Sequence, residues 1–273
     1  MTVELGDLRF HNGGYCWQSI YLSGVPMLGF RRFHAVFLEF DHPVHGHCLI
    51  DTGYGPDIWP ATRRFPQRFL RWFTPIPKRQ TIFENDYPNS VGIDPDAIDN
   101  ILISHFHADH IGGLKLFPKA RFLYRKSSYE TLVGLSSLKQ MDHAFVPKLL
   151  PEDFVDRGFP IDEELFVSND QFAPFKSIDF WGDGSLFLID LPGHAIGHTG
   201  YCLNTERGRM LYVVDSFWDQ RAWRRGGRLP FISRRIHHSY SVFVETQLGL
   251  SELCKRESLT PLACHCPETQ AYV

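Results

Sequence analysis

The sequence predicts an α+β chain built from two mixed β-sheets with helices on their outer faces. Three observations carry that prediction. Short apolar runs bounded by Gly, Pro, Asn and Asp read as strands. Segments with helical apolar spacing lie between them. Hairpins alternate with helices instead of repeating as strict β-α-β units. At 273 residues, 43% apolar and 22% charged, the chain supports a packed core and reads as one domain over 1–273.

Taken in order, 35–40 and 48–51 read as strands of an antiparallel hairpin joined by the turn-rich segment 41–47. Asp51-Thr52-Gly53-Tyr54-Gly55 punctuates the second strand. Phe65, Phe69 and Trp72 then recur at i, i+4 and i+7, with Arg64, Arg68 and Arg71 on another stripe, which predicts an amphipathic helix ended by Pro75 and Pro77. A short helix at 94–100 should feed an apolar strand at 101–103 that runs directly into His105. A helix at 109–116, a strand at 120–124, a helix at 127–138 and a buried strand at 186–191 follow, and 200–203 with 210–215 form another hairpin pair. No repeat, low-complexity tract or linker interrupts the series.

Composition excludes several classes. No run reaches the roughly 18 to 20 apolar residues a membrane span needs, and the N-terminus lacks the basic flank and apolar stretch of a signal peptide, so a cytoplasmic location is expected. The six cysteines show no C-x-x-C spacing and read as reduced thiols. Fourteen histidines cluster in short stretches. The net charge of -3 conceals two cationic islands, 58–82 and 220–244, each with six positive residues and no Asp or Glu.

The informative stretch is Ser104-His105-Phe106-His107-Ala108-Asp109-His110-Ile111-Gly112-Gly113, four potential metal ligands within six residues at a strand exit. On an extended backbone His105 and His107, two apart, point to one side and can grip one ion. Asp109 and His110 project from the first turn of the following helix, where a second ion fits, and the glycines leave room for close backbone packing. Further candidates are His194 and His198 after the strand at 186–191, Asp215 at a strand end, and His265 near the C-terminus.

The ordered series Asp51-Thr52-Gly53, His105-x-His107-x-Asp109-His110, Pro192-Gly193-His194, Asp215 and His265, spanning about 34–266, resembles the metallo-β-lactamase superfamily. That resemblance implies an αβ/βα sandwich with helices on both outer faces. It implies that His105, His107 and His194 bind one metal, that Asp109, His110 and His265 bind the other, and that Asp215 bridges the two. A carboxylate at Asp215 makes the chain more similar to the lactonase, glyoxalase II and phosphodiesterase branches than to class B β-lactamases. Where acyl-homoserine-lactone lactonases carry a substrate-contacting tyrosine three residues after the bridging aspartate, this chain has Trp218. His265 sits in Cys-His-Cys instead of the more familiar Gly-His-Asp, and strand alternation would turn Cys264 and Cys266 away from the metal.

Imidazole and carboxylate donors suit Zn2+, with Mn2+ or Fe2+ as alternatives. Two divalent ions about 3.5 to 4 Å apart lower the pKa of a bridging water to roughly 7, so the expected activity is hydrolysis of an ester, lactone or thioester by metal-bound hydroxide. Asp109 and Asp215 are the catalytic carboxylates of this reading, and Asp109 is the expected proton donor to the leaving group. Asp51 and His198 are expected to orient ligands. His42, His45, His47, His237 and His238 read as surface or mouth residues, while His11, His34 and His143 have no informative setting.

In the resembled fold the cationic islands would lie in lid-like insertions near 56–90 and 216–245, and both interleave arginine with aromatics. Arg68, Arg71, Trp218, Arg224 and Arg225 are therefore expected to touch a small-molecule or carrier-linked substrate that is part apolar and part anionic. An anionic membrane surface is the rival use of these segments. A phosphodiesterase or nuclease on the same metals, an iron-dependent persulfide dioxygenase and a non-catalytic ligand sensor are the competing functions. Net acidity and the lack of a recognisable module argue against nucleic acid as a partner, and the sequence leaves the oligomeric state open.

Overall fold

A computed structural model describes residues 2–80, 83 and 86–273 of the chain. Thr81 and Ile82, at the end of the first cationic island, and Glu84 and Asn85 lie outside the described residues. The first sheet orders its strands as β1 (Gly6–Ser19), β2 (Phe30–His42), β3 (Gly46–Ile50), β4 (Asn100–Leu102), β5 (Arg121–Arg125) and β6 (Gly158–Ile161). β1 to β3 are antiparallel and β3 to β6 parallel. The second sheet runs β12 (Pro261–Ala263), β11 (Gly208–Val214), β10 (Thr199–Thr205), β9 (Leu186–Asp190), β8 (Lys176–Asp179) and β7 (Val167–Ser168), antiparallel except for the β11–β12 pair. Two mixed sheets with helices outside them match the predicted class.

Alternation along the second sheet separates its two faces. Leu188, Tyr201, Leu203, Tyr212 and Val214 pack toward the first sheet, and the Tyr212 hydroxyl donates to the Val36 carbonyl of β2 at 2.7 Å. Ile189, Cys202, Leu211 and Val213 point the other way, onto Leu250, Leu253 and Cys254. Those three belong to the longest helix, Tyr240–Glu257. Burying each such leucine stabilises the layer by about 1.5 to 3 kcal/mol.

Several expected helices differ. The 65–72 pattern yields two short turns, Gln67–Phe69 and α2 (Leu70–Phe73), after α1 (Ile58–Ala61). Pro66 interrupts it by lacking the N–H that an i to i−4 bond needs, and Phe65 and Trp72 are exposed. The 94–100 segment is a turn, in which Asp94 accepts from the backbone of Asp96 and Ala97, and Asn100 already belongs to β4. The 109–116 helix is only α3 (Ala108–Ile111) followed by a 3-10 turn, and 127–138 splits into α4 (Lys126–Val133) and α5 (Ser137–Asp142). Further helices among the described residues are α6 (Gln220–Arg224), α7 (Phe231–Arg234), α8, the long Tyr240–Glu257 helix, and α9 (Pro267–Gln270). All six cysteines are buried free thiols. Among the described residues no helix is long and apolar enough to cross a membrane.

Candidate metal centre

Five strand ends open on one edge of the sandwich and carry the chemistry. β3 delivers Asp51, β4 leads to His105 and His107, β9 to His194, β11 to Asp215 and β12 to His265. Val214 takes a left-handed φ of 52° just before Asp215, an uncommon conformation for a β-branched residue that turns the carboxylate into the site.

Asp215 lies at the centre. Its Oδ2 is 3.2 Å from His194 Nε2, 3.4 Å from His110 Nε2, 3.4 Å from His265 Nε2 and 4.0 Å from His105 Nε2. Two groups of converging donor atoms share it: His105, His107, His194 and Asp215, then His110, Asp215, Cys264 and His265. Asp109 sits at the rim, with Oδ2 3.2 Å from His265 Nε2 and 3.8 Å from His110 Nε2.

These side chains fit divalent cations on their own chemistry. His105 Nε2, His110 Nε2 and Asp215 Oδ1 are buried without a hydrogen-bond partner, an arrangement that costs about 1 to 3 kcal/mol per group unless something else satisfies it. The second nitrogens of His110 and His265 are tied down, as metal-binding histidines require. Asp51 accepts from the Ser104 backbone and hydroxyl and holds His110 Nδ1 at 2.8 Å, and His265 Nδ1 donates to the His34 carbonyl at 2.8 Å. His198 spends both nitrogens elsewhere: Nδ1 donates to the Leu191 carbonyl at 2.8 Å and Nε2 accepts from the Asp215 backbone at 3.2 Å. Neither is left for an ion.

Charge follows the same logic. Burial alone would raise the Asp215 carboxyl, yet His265 and His110 hold it well below the usual range. Burial would likewise raise Asp109, but His110 and His265 bring it down to about 2. Burial, with neighbouring imidazoles adding to it, lowers His105 and His107 well below the usual imidazole value, so both keep a free lone pair.

Two residues escaped the sequence reading. Cys264 was expected to turn away, but the strand ends at Ala263 and the chain turns there, so alternation no longer applies and its sulfur joins the second donor group. Cys266 does face elsewhere, donating to Glu268 Oε2 at 2.8 Å. His237 was expected at the surface or mouth. It is buried, its Nδ1 lies 3.1 Å from His194 Nδ1, and its ring stacks between Phe243 and Trp218. The close approach requires Gly193: at φ 114° its place beside Phe243 leaves no room for a Cβ, which would meet the Phe243 nitrogen at 2.2 Å. No local pattern in 237–238 reveals this contact. Gly112 works similarly behind the ligand loop, where a Cβ would stand 1.8 Å from the Tyr54 carbonyl.

A cavity of about 100 Å3 opens over these donors, floored by His107, Asp109, His194, Asp215 and His265. Leu22, Phe33, Leu70, Phe73, Trp218 and Ile236 form its apolar walls. Both cationic segments therefore reach the cavity, but through uncharged side chains: Leu70, Phe73 and Thr74 from the first, Ser233 and Ile236 from the second. Arg68, Arg71, Arg224 and Arg225 do not line it. Guanidinium groups are costly to desolvate and stay outside: Arg71 lies 4.2 Å over the Trp59 ring, Arg68 5.8 Å over Trp72, and Arg224 and Arg225 are exposed. Trp218, in contrast, lines the wall.

The profile of the metallo-beta-lactamase superfamily matches residues 35–241. The chain belongs to the metallo-β-lactamase superfamily. Similar curated proteins include the N-acyl homoserine lactonase AttM of Agrobacterium fabrum, 25% identical over 214 residues that cover 76% of this chain and 73% of AttM. The metallo-hydrolase mfmC of Annulohypoxylon moriforme is 27% identical over 221 residues, 78% of this chain and 54% of that protein. Among solved structures, a B. thuringiensis AiiA variant with N-decanoyl-L-homoserine at its active site superposes with a TM-score of 0.69 at 19% identity, covering 100% of this chain and 97% of AiiA. The dizinc quorum-quenching lactonase AidC gives 0.65 at 15% identity, covering 98% and 89%. This metallo-β-lactamase superfamily chain is a metal-dependent hydrolase, and its donor clusters mark a divalent-metal site.

Proposed function

We propose that the chain is a binuclear lactonase, hydrolysing a small lactone or related ester whose remaining part is apolar. The observation that carries this reading is the cavity itself: a floor of metal donors under apolar walls, with no lysine or arginine among its lining residues. That lining favours an uncharged apolar substituent over the anionic one suggested by the arginine runs. The lactonase relatives support the same reaction class.

His105, His107, His194 and Asp215 would hold one ion, and Asp215, His110, His265 and Asp109 the other, with Cys264 beside the second. When bound, the two ions supply Lewis acidity and a nucleophilic hydroxide at neutral pH. The protein's own groups do the rest. Asp51, Ser104, the His34 carbonyl and His237 fix the imidazoles in place. Asp109, whose side chain is 17% exposed at the cavity floor, is placed to carry a proton at Oδ2 to the leaving alkoxide. Trp218 and Phe73 exclude water and orient the apolar part.

Metal analysis of the pure protein, with a hydrolysis panel of N-acyl lactones, aryl esters, acyl thioesters and bis-p-nitrophenyl phosphate, tests the proposal. Two equivalents of metal and a preference for apolar lactones, abolished by chelation, are expected. A preference for the phosphodiester would replace this reading with the phosphodiesterase alternative.

A further inference from the structure

We propose that the rim of the cleft is a docking face for an anionic lipid bilayer. Three stretches, 8–38, 58–83 and 220–244, contain no aspartate or glutamate, and the fold brings them to one place. Trp17 N–H donates to the Pro75 carbonyl at 2.9 Å, Gln18 Nε2 to the Phe73 carbonyl at 2.9 Å, and the Ser233 hydroxyl to the Leu22 carbonyl at 2.8 Å. Leu22, Phe73 and Ile236, one from each stretch, wall the same cavity.

Eleven of the 21 exposed large apolar side chains of the described residues belong to these stretches, including Leu28 at 93% and Phe30 at 73% exposure. Exposed apolar groups gathered in this way mark an interaction surface. Cations accompany them. Arg225 and Arg228, neither paired with a carboxylate among the described residues, rim a second cavity of about 440 Å3 that Tyr21 and Phe231 also line over an apolar base of Val25 and Leu229. Arginines above an apolar base suit a phosphate headgroup with its glycerol and chain beneath. The nearby Asp219 is buried and neutralised by Arg31 at 2.6 Å and Arg221 at 2.8 Å, so it does not offset the free arginines.

Charge decides between occupants. A two-fold dimer through this face would set arginines against arginines, because a symmetric interface presents one patch to itself. An anionic bilayer satisfies both features at once, taking up the apolar side chains while its headgroups meet the cations.

Co-sedimentation of the full chain with vesicles of phosphatidylcholine, alone or mixed with phosphatidylglycerol, tests the proposal. It needs neither metal nor turnover, so its outcome is independent of the lactonase reading. Binding to the mixed vesicles, weakened by salt, is expected, with a loss of about fivefold for each of Arg225→Ala and Arg228→Ala. Leu28→Ser combined with Trp72→Ser should weaken binding at high salt as well. Lys176→Glu, on β8, should leave it unchanged, and circular dichroism confirms that each variant is folded. Absence of vesicle binding, or equal binding to both vesicles that ignores the arginine changes, overturns the proposal. So does a dimer in sedimentation velocity that the same substitutions dissociate.

Discussion

Histidines gather at both ends of the first sheet, and the two gatherings behave differently. At the hairpin end, His42 Nε2 meets Asp183 at 2.9 Å while its Nδ1 accepts from the Val44 and His45 backbones, and His47 Nε2 lies 3.0 Å from Asp41. His11, farther along the sheet, is 2.6 Å from Glu39. At the opposite end, His105 and His110 each leave a buried nitrogen without a hydrogen bond, around a carboxylate oxygen in the same condition. Histidine density is therefore a poor marker of metal chemistry. Unsatisfied, convergent lone pairs are the better one, because a protein tolerates them only where something else completes them.

The largest test of that contrast removes the shared carboxylate. Asp215→Asn keeps the shape but gives up the charge facing four imidazoles. Metal content by elemental analysis should fall below two equivalents, and turnover should drop by more than the roughly 100-fold limit of losses outside the ligand set. Normal occupancy and rate would mean the donor assignment is wrong.

His237 comes next. Its contact with His194 Nδ1 fixes the direction of the other nitrogen, so His237→Ala should cost about 10- to 100-fold in metal affinity or activity. His198→Ala should fall in the same range, since it anchors the Asp215 backbone. A titration with a competing chelator separates this positioning effect from lost folding, and His237→Asn, which retains a polar group near His194, should recover part of the affinity. If His237→Ala binds metal like the parent, the stacked ring is only packing.

The difference between the two ends also explains what was legible in sequence. The 105–110 motif could be read because its geometry is local: two residues on one strand exit, then the first turn of a helix. Asp215 and His194 were visible as strand-end residues. His237 depends on the N-terminus of α8 docking at Gly193, a contact between elements 43 residues apart in sequence, and nothing near it in the chain announces that. α8 itself was missed because Thr246 and Gly249 sit among Phe243, Leu250 and Leu253 on its buried face and dilute the apolar stripe. β1 was missed because its register shifts beside Asn12 and its burial pattern does not alternate cleanly.

At the hairpin end the same kind of substitution should act on stability alone. His42→Ala deletes the hydrogen bond to Asp183 and two backbone contacts, and urea unfolding should show a loss of about 1 to 3 kcal/mol. Metal content and turnover per folded molecule should stay at parental values. Coupled loss of metal would show that the two histidine groups communicate.

The smallest expected effect concerns pH. Burial would raise the Glu39 carboxyl, but His11 and Arg9 together hold it below its ordinary value, with Arg9 Nη2 at 2.8 Å and Nε at 3.0 Å. A carboxyl depressed in the folded state binds its proton more readily when unfolded. Its contribution is therefore fully present above the unfolded value of about 4.3 and is lost as pH falls through the lower folded value. Glu39→Gln should destabilise the protein at pH 7 and flatten the decline in unfolding free energy below about pH 4.5, while leaving metal binding at neutral pH intact. Parallel acid limbs for parent and variant would show that Glu39 does not drive the acid sensitivity of the hairpin end, and that its histidine contacts are geometrically close but energetically slight.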